Sequence, residues 1–191
     1  MRVLIVDDES LIRMDLRDIL ESAGHEVIGE GKTGIDGIQL ARELTPDIIL
    51  MDVKMPELDG IEAARQIHHA HIAPVVLLTA YSQEDLVKKA KESGIYGYLI
   101  KPLREEQLIP TLLMAIGRYE DEQRLRHDVS HLEQSLEDRK YIAKATGILM
   151  NLYQISEEEA FSRIRKYSMN KQLSITQVAL KIINASKHDK H

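Results

Sequence analysis

The chain has 191 residues, 43% hydrophobic and 29% charged, a balance that suits one large or two small globular domains and excludes a largely disordered chain. Its net charge of −6 is unevenly spread: residues 1–122 hold 13 Lys and Arg against 23 Asp and Glu, whereas residues 123–191 hold 12 against 8. The absence of cysteine excludes a disulfide scaffold, a thiolate metal site and a thiol nucleophile and fits a reducing cytoplasm, while short apolar runs and the lack of a leader-like segment predict neither a membrane span nor a signal peptide.

In chain order, strands are predicted at residues 3–6, 26–30, 47–51, 74–79 and 97–100. Three of them hold a strictly apolar run of four residues, at 3–6, 48–51 and 75–78, as expected where a parallel sheet is covered on both faces. Between them come segments with helical spacing: Leu11, Met14, Leu16, Ile19 and Leu20; Ile35, Ile38 and Leu44; Ile61, Ala64 and Ile67; then Leu86, Val87 and Ala90. Five βα units predict a doubly wound α/β domain. After Arg104 the strand signals stop and the chain reads as helix to its end, with Pro110 positioned to remove one backbone donor and kink the fifth helix. Leu125, Val129, Leu132 and Leu136 are spaced 4, 3 and 4, a heptad seam two repeats long. Ser156 through Glu159 reads as a capping box and Ser174 as a second N-cap, so the C-terminal part is predicted to be a small helical bundle. Its expected core is Ile142, Ala145, Ile148, Leu149, Phe161, Ile164, Leu173, Val178, Ile182 and Ile183, with the small Ala145 and Gly147 allowing close helix approach. The predicted domains are 1–120, a helical coiled-coil linker at 121–136, and 137–191.

In a doubly wound sheet the ligand site lies at the carboxyl ends of the strands. There the sequence has Asp7 and Asp8 after the first strand, Asp52 after the third, Thr79 after the fourth and Lys101 after the fifth. Any one acid could merely cap the following helix; all five polar groups at one edge point to a site. Converging carboxylates repel unless a hard cation sits among them, and an all-oxygen set suits Mg²⁺ rather than zinc. A carboxylate, a bound Mg²⁺, a hydroxyl and an ammonium in one cleft point to phosphoryl transfer onto a carboxylate. In that reading Asp7 and Asp8 hold the metal, Asp52 accepts the phosphoryl group, and Lys101 and Thr79 neutralise and orient it.

The segments Val6-Asp7-Asp8-Glu9, residues 50–56 with Asp59-Gly60, Leu78-Thr79-Ala80 and Lys101-Pro102 resemble the receiver domain of two-component response regulators. The resemblance implies a flavodoxin-like (βα)5 fold and phosphorylation of Asp52 by a sensor histidine kinase. It also implies Mg²⁺ held by Asp7, Asp8, Asp52 and the backbone carbonyl of Lys54, a cis Lys101–Pro102 bond, and a switch pair of Thr79 and Tyr98. An aromatic on a strand is otherwise expected to be core with its hydroxyl at the surface.

The stretch from Asp138 to Met150, followed by Ile155 to Phe161, Ile164 to Met169 and Val178 to Ile183, resembles the ANTAR domain of transcription antitermination regulators. That implies a three-helix RNA-binding bundle, often reached through a coiled coil, acting on a hairpin in a nascent transcript. The chain departs from the family at Thr146, where many members carry lysine. Arg139, Lys140, Lys144, Arg163, Arg165 and Lys166 are the expected RNA-facing cations, with Tyr141, Tyr153 and Tyr167 as stacking candidates. The C-terminal 69 residues carry no Gly-rich phosphate loop or convergent acid and nucleophile pattern, which argues against an enzyme. The reading is therefore a cytoplasmic response regulator, with a phosphorylation-dependent homodimer through the fifth receiver helix or the heptad seam. The alternatives are a DNA-binding transcriptional regulator and a helical tail that makes only protein contacts.

Overall fold

The computed structural model describes residues 1–80 and 94–188; the helical spacing at Leu86, Val87 and Ala90 lies outside them. Five strands, β1 (Arg2–Val6), β2 (Glu26–Gly31), β3 (Ile48–Asp52), β4 (Val75–Thr79) and β5 (Gly97–Ile100), form one parallel sheet in the order β2-β1-β3-β4-β5. The described helices are α1 (Ser10–Ser22), α2 (Gly34–Leu44), α3 (Gly60–His69), α4 (Glu105–Tyr153), α5 (Glu157–Lys171) and α6 (Ile175–His188). Contacts divide the chain into two compact units, Met1–Gln123 and Arg124–His191, and residues 121–136 lie in the middle of the unbroken α4.

The sheet is apolar on both faces because helices cover both. Side chains alternate along each strand, so Val3, Ile5, Ile48 and Leu50 pack with Leu16 and Leu20 of α1 and Leu108 and Leu112 of α4. Leu4, Val6, Ile49 and Met51 pack on the other side with Ala41 of α2 and Ala63, Ala64 and Ile67 of α3. The expected stripe of α1 is narrower than its spacing suggested. Leu11 and Met14 are exposed, because at about 100° per residue they lie opposite the stripe of Ile12, Arg13, Leu16, Ile19 and Leu20 that turns inward. Ile35 at the start of α2 is also half exposed.

The second unit packs Ala145, Ile164, Val178, Ala179 and Ile183, with Ile142, Ile148, Leu149, Leu173 and Ile182 partly buried around them. Two expectations fail here. Phe161 is 39% exposed, one residue past the buried Ala160 on α5 and so turned away from the core. A methyl group added at Gly147 would meet open space, so no helix approaches it. The caps also differ from the expectation. Ser156 accepts a hydrogen bond from the Glu159 N–H, but the Glu159 carboxylate turns to Arg163 instead of closing the box. Ser174 and Gln177 form the reciprocal pair, as do Thr33 and Asp36 at α2. Helix α4 continues through Pro110. Among the described residues no helix is long and apolar enough to cross a membrane.

Candidate functional site

Because every strand runs the same way, β1, β3, β4 and β5 deliver their last residues to one edge. Backbone bonds extend that order past the strands: the Asp7 N–H donates to Gly31 O (3.1 Å), Val53 N–H to Leu78 O (3.0 Å) and Lys101 N–H to Thr79 O (2.8 Å). Asp7 is fully buried, and Asp52 and Thr79 are each 6% exposed. The Lys101 ammonium lies 2.8 Å from Asp7 Oδ2 and 2.7 Å from Asp52 Oδ1, joining strand ends 94 residues apart in the first case. The Lys54 N–H donates to Asp52 Oδ2 at 2.7 Å and the Glu9 N–H to Asp7 Oδ1 at 2.9 Å. The Lys101–Pro102 peptide is cis.

The acids at this edge are not helix caps. The N-cap residue of α1 is Glu9, which makes no side-chain cap bond, and α3 is capped by Asp59, whose carboxylate accepts from the Glu62 N–H at 2.8 Å. One carboxylate group was not foreseen: Asp7, Asp8 and Glu9 bring ligand oxygens within 4.8 Å of one another, with Asp8 and Glu9 exposed at the mouth. The ammonium of Lys101, bonded to both Asp7 and Asp52, ties Asp52 to this trio. The donors are all hard oxygens, which fits a Mg²⁺-like cation and offers nothing to a soft metal.

Burial pushes the Asp52 carboxyl above its ordinary range, the Lys101 ammonium offsets this only in part, and the charge of Asp7 adds to the rise. Lys101 behaves differently: burial alone would lower its pKa, but its bonds to Asp52 and Asp7 outweigh that and hold it above its ordinary value of 10.5. The two directions are compatible, because one ammonium serves two carboxylates, so the lysine gains more from the cluster than Asp52 does. A lysine with a raised folded-state pKa contributes stability that is fully present below its unfolded value and lost as pH rises through its folded value. Wild-type folding stability is therefore expected to fall above about pH 10.5 by more than that of a Lys101→Met variant. Denaturant unfolding of both proteins between pH 8 and 12 measures this, and parallel curves would show the ammonium is not coupled to the carboxylates.

Two supports escaped the sequence reading. Arg13 is 7% exposed; it donates to the Asp7 carbonyl at 2.6 Å and pairs with Glu30 at 2.9 Å. Arg17, then Arg13, holds the Glu30 carboxyl below its ordinary range. The signal for Arg13 was its position on the stripe of α1 that buries Leu16 and Leu20. Gly60, read only as a turn residue, begins α3 against the phosphoacceptor candidate: a Cβ there would sit 1.9 Å from the Asp52 carbonyl oxygen. Tyr98 pairs with Leu77 across β4 and β5 and is 50% exposed. It is therefore not core, and it shares the outward side of β5 with Ile100.

In the second unit Arg139, Lys140 and Lys144 are exposed on α4, and Lys140 pairs with Glu137 at 2.6 Å. On α5, at about 100° per residue, Arg163 and Arg165 flank opposite sides of the buried Ile164, and Lys166 lies on the outer surface. The six expected cations are not gathered on one face. Thr146 is 5% exposed and its hydroxyl donates to the Ile142 carbonyl at 2.9 Å, so the departure at this position concerns the core. Tyr153 and Tyr167 are about half exposed, while Tyr141 packs at the core margin.

A family model described as the response regulator receiver domain matches residues 3–113, and one described as the ANTAR domain matches residues 130–183. The transcriptional regulatory protein PdtaR of Mycobacterium tuberculosis is 42% identical over 178 residues, covering 93% of this chain and 87% of that protein. The chemotaxis protein CheY of Thermotoga maritima is 38% identical over 112 residues, 58% of this chain and 93% of CheY. Among solved structures, the receiver domain of a modulated diguanylate cyclase from Desulfovibrio desulfuricans superposes with a TM-score of 0.58 at 34% identity, covering 63% of this chain and 96% of that one.

Proposed function

The chain belongs to the two-component response regulators, with a receiver domain followed by an ANTAR output, and from that premise we propose that Asp52 is its phosphoacceptor and RNA its target. A sensor histidine kinase supplies the phosphoryl group in the cytoplasm, and the C-terminal unit answers by binding a hairpin in a nascent transcript and promoting antitermination. The observation that carries the first half is the Lys101 ammonium shared by Asp7 and Asp52 at the carboxyl edge of the sheet.

An ionised Asp52 oxygen attacks the phosphorus; an O–P bond forms as the donor's N–P bond breaks, and the imidazole leaves with the electron pair. A Mg²⁺ ion held by Asp7, Asp8, Asp52 and the Lys54 carbonyl supplies charge neutralisation on the transferring group when bound. The remaining work falls to the chain itself. Lys101 shifts its ammonium from Asp52 Oδ1 to a phosphoryl oxygen, and the buried Thr79 hydroxyl donates to another. Arg13, through the Asp7 carbonyl, holds the acidic strand end in place. Movement of Thr79 toward the phosphoryl group opens room for the exposed Tyr98 to turn inward.

Coupling to the output runs through dimerisation. Leu125, Val129, Leu132 and Leu136 are each more than half exposed, a stripe that a second copy of α4 would cover. Two basic modules held together raise each other's effective concentration on a two-element RNA without any new contact. The DNA-reading alternative is not favoured, since the C-terminal match is to the ANTAR domain. Nothing in either matched domain calls for an enzymatic output.

The test combines sedimentation with competition between hairpin RNA and duplex DNA, with and without a small acyl phosphate donor. Phosphorylation is expected to favour the dimer and raise hairpin affinity, with binding that weakens as salt rises. Leu132→Lys is expected to remove both effects while leaving phosphorylation intact. Equal oligomeric state and equal RNA affinity in both forms would defeat the coupling, and a preference for duplex DNA would defeat the output.

A further inference from the structure

A cavity of about 370 Å³ opens on the second unit, where the end of α4 meets α5 and α6. Its floor is apolar: Ile164 and Val178 are almost fully buried, and Leu149 and Ile182 partly so. Its rim is of another kind. Tyr153 and Tyr167 are 54% and 48% exposed, and the exposed Arg163 and Lys181 stand beside them. The Arg163 guanidinium lies over the Tyr153 ring, its carbon 5.4 Å from the centroid, and the Glu159 carboxylate holds it at 2.8 Å.

This combination selects a narrow class of ligand. A bare phosphate gains nothing from a floor of Leu, Ile and Val, because burying an anion there loses hydration without replacing it. An aliphatic side chain would use the floor and leave the two cations idle. A flat heteroaromatic ring carrying an adjacent phosphate uses every part: its body fills the apolar floor, its face stacks on tyrosine or guanidinium, and the ammonium of Lys181 meets the backbone anion. The ring must also be unpaired, since a base inside a helix shows only its edge and cannot enter a recess. The excess of cations over acids in residues 123–191 favours the same partner.

We propose that this cavity receives one unpaired nucleobase from the loop of the RNA, stacked against Tyr153 or Tyr167, with Arg163 and Lys181 holding its flanking phosphates. The inference rests on the RNA-binding reading and deepens it. It assigns the sequence-reading part of the interface to the cavity, and leaves Arg139, Lys140, Lys144, Arg165 and Lys166 to contact the backbone without regard to sequence. Lys181, which is not among the six cations expected from the sequence, becomes part of the site.

The experiment uses the full chain. A pool of RNA hairpins with a randomised loop is selected on the phosphorylated wild type, and one enriched hairpin is then synthesised with each loop nucleotide replaced in turn by an abasic site. One abasic position is expected to cost about tenfold in affinity, the size of one stacked base. Tyr153→Ala with Tyr167→Ala should cost a similar factor on the intact hairpin and nothing further on that abasic hairpin. The double Phe variant should restore binding, which a general loss of fold would not allow. Lys181→Gln should weaken the intact hairpin and flatten its salt dependence. If the tyrosine and abasic losses multiply at every loop position, no base is seated in the cavity and the proposal falls, even though RNA binding stands. If no hairpin is enriched over duplex DNA, the RNA reading itself fails.

Discussion

Replacing Asp52 with asparagine is expected to abolish the acyl phosphate formation expected of the wild type with a small phosphodonor and Mg²⁺. The amide has no anionic oxygen to attack phosphorus, yet it keeps an acceptor for the Lys54 N–H that now bonds Asp52 at 2.7 Å, so the loop beyond β3 retains its shape. Asp7 cannot substitute. It is fully buried, bonded to the Glu9 N–H and to Lys101, and a phosphoryl donor has no path to it. Asp8 and Glu9 are exposed, and the Glu9 carboxylate stands 3.8 Å from the Lys101 ammonium where Asp52 stands at 2.7 Å. Chelating the divalent cation is expected to suppress labelling of the wild type to the same level, because the transferring group then lacks the charge neutralisation of the ion that Asp7, Asp8, Asp52 and the Lys54 carbonyl would hold. Mass spectrometry of the phosphorylated protein reads the site directly. Robust labelling of Asp52→Asn, or labelling indifferent to chelation, would sink the assignment.

Gly60→Ala should be among the most damaging single-methyl additions possible in this protein. The new Cβ would lie 1.9 Å from the carbonyl oxygen of Asp52 and 2.9 Å from its carbonyl carbon, and neither partner can yield cheaply. Asp52 is held in β3, paired with Leu78 of β4, and Gly60 donates its own N–H to the Val53 carbonyl at 3.0 Å. Either α3 lifts off the sheet, exposing Ala63, Ala64 and Ile67, or the end of β3 shifts and carries the Asp52 carboxylate away from Lys101. Overpacking of this severity costs about 3 kcal/mol, which in a domain of this size lowers Tm by roughly 10 °C. Gly147→Ala is the internal contrast. It adds the same methyl group to a helix interior facing open space, and is expected to stabilise by about 0.5–1 kcal/mol. Thermal unfolding of the two variants tests both, and a Gly60→Ala protein that melts and phosphorylates like the wild type would mean that α3 is not seated against Asp52.

The sequence by itself determined the five strands, their parallel pairing and the edge at which Asp7, Asp52, Thr79 and Lys101 emerge. Each of these is a local property: an apolar run of strand length declares its own burial, and in a parallel sheet the residue after the run declares its edge. The helical second unit and most of its core were legible for the same reason, since a 3.6-residue repeat is written within a single element. Tertiary structure alone decided what depends on residues distant in the chain. Whether Leu11 or Leu16 of one amphipathic helix is buried is set by which way α1 is rotated against its neighbours, and Ile12, Arg13, Leu16 and Leu20 take the inner face. Whether Glu159 closes a cap or pairs with Arg163 is settled by competition between two partners of similar strength. Arg13 lay on the buried stripe of α1, but its role as a support was not legible because it bonds to a carbonyl, a group every residue carries, and that of Gly60 was not because its partner is the backbone of Asp52. The cavity at the meeting of α4, α5 and α6 draws its floor and rim from three helices, and the spacing within any one of them specifies an apolar stripe without saying where that stripe will be left uncovered.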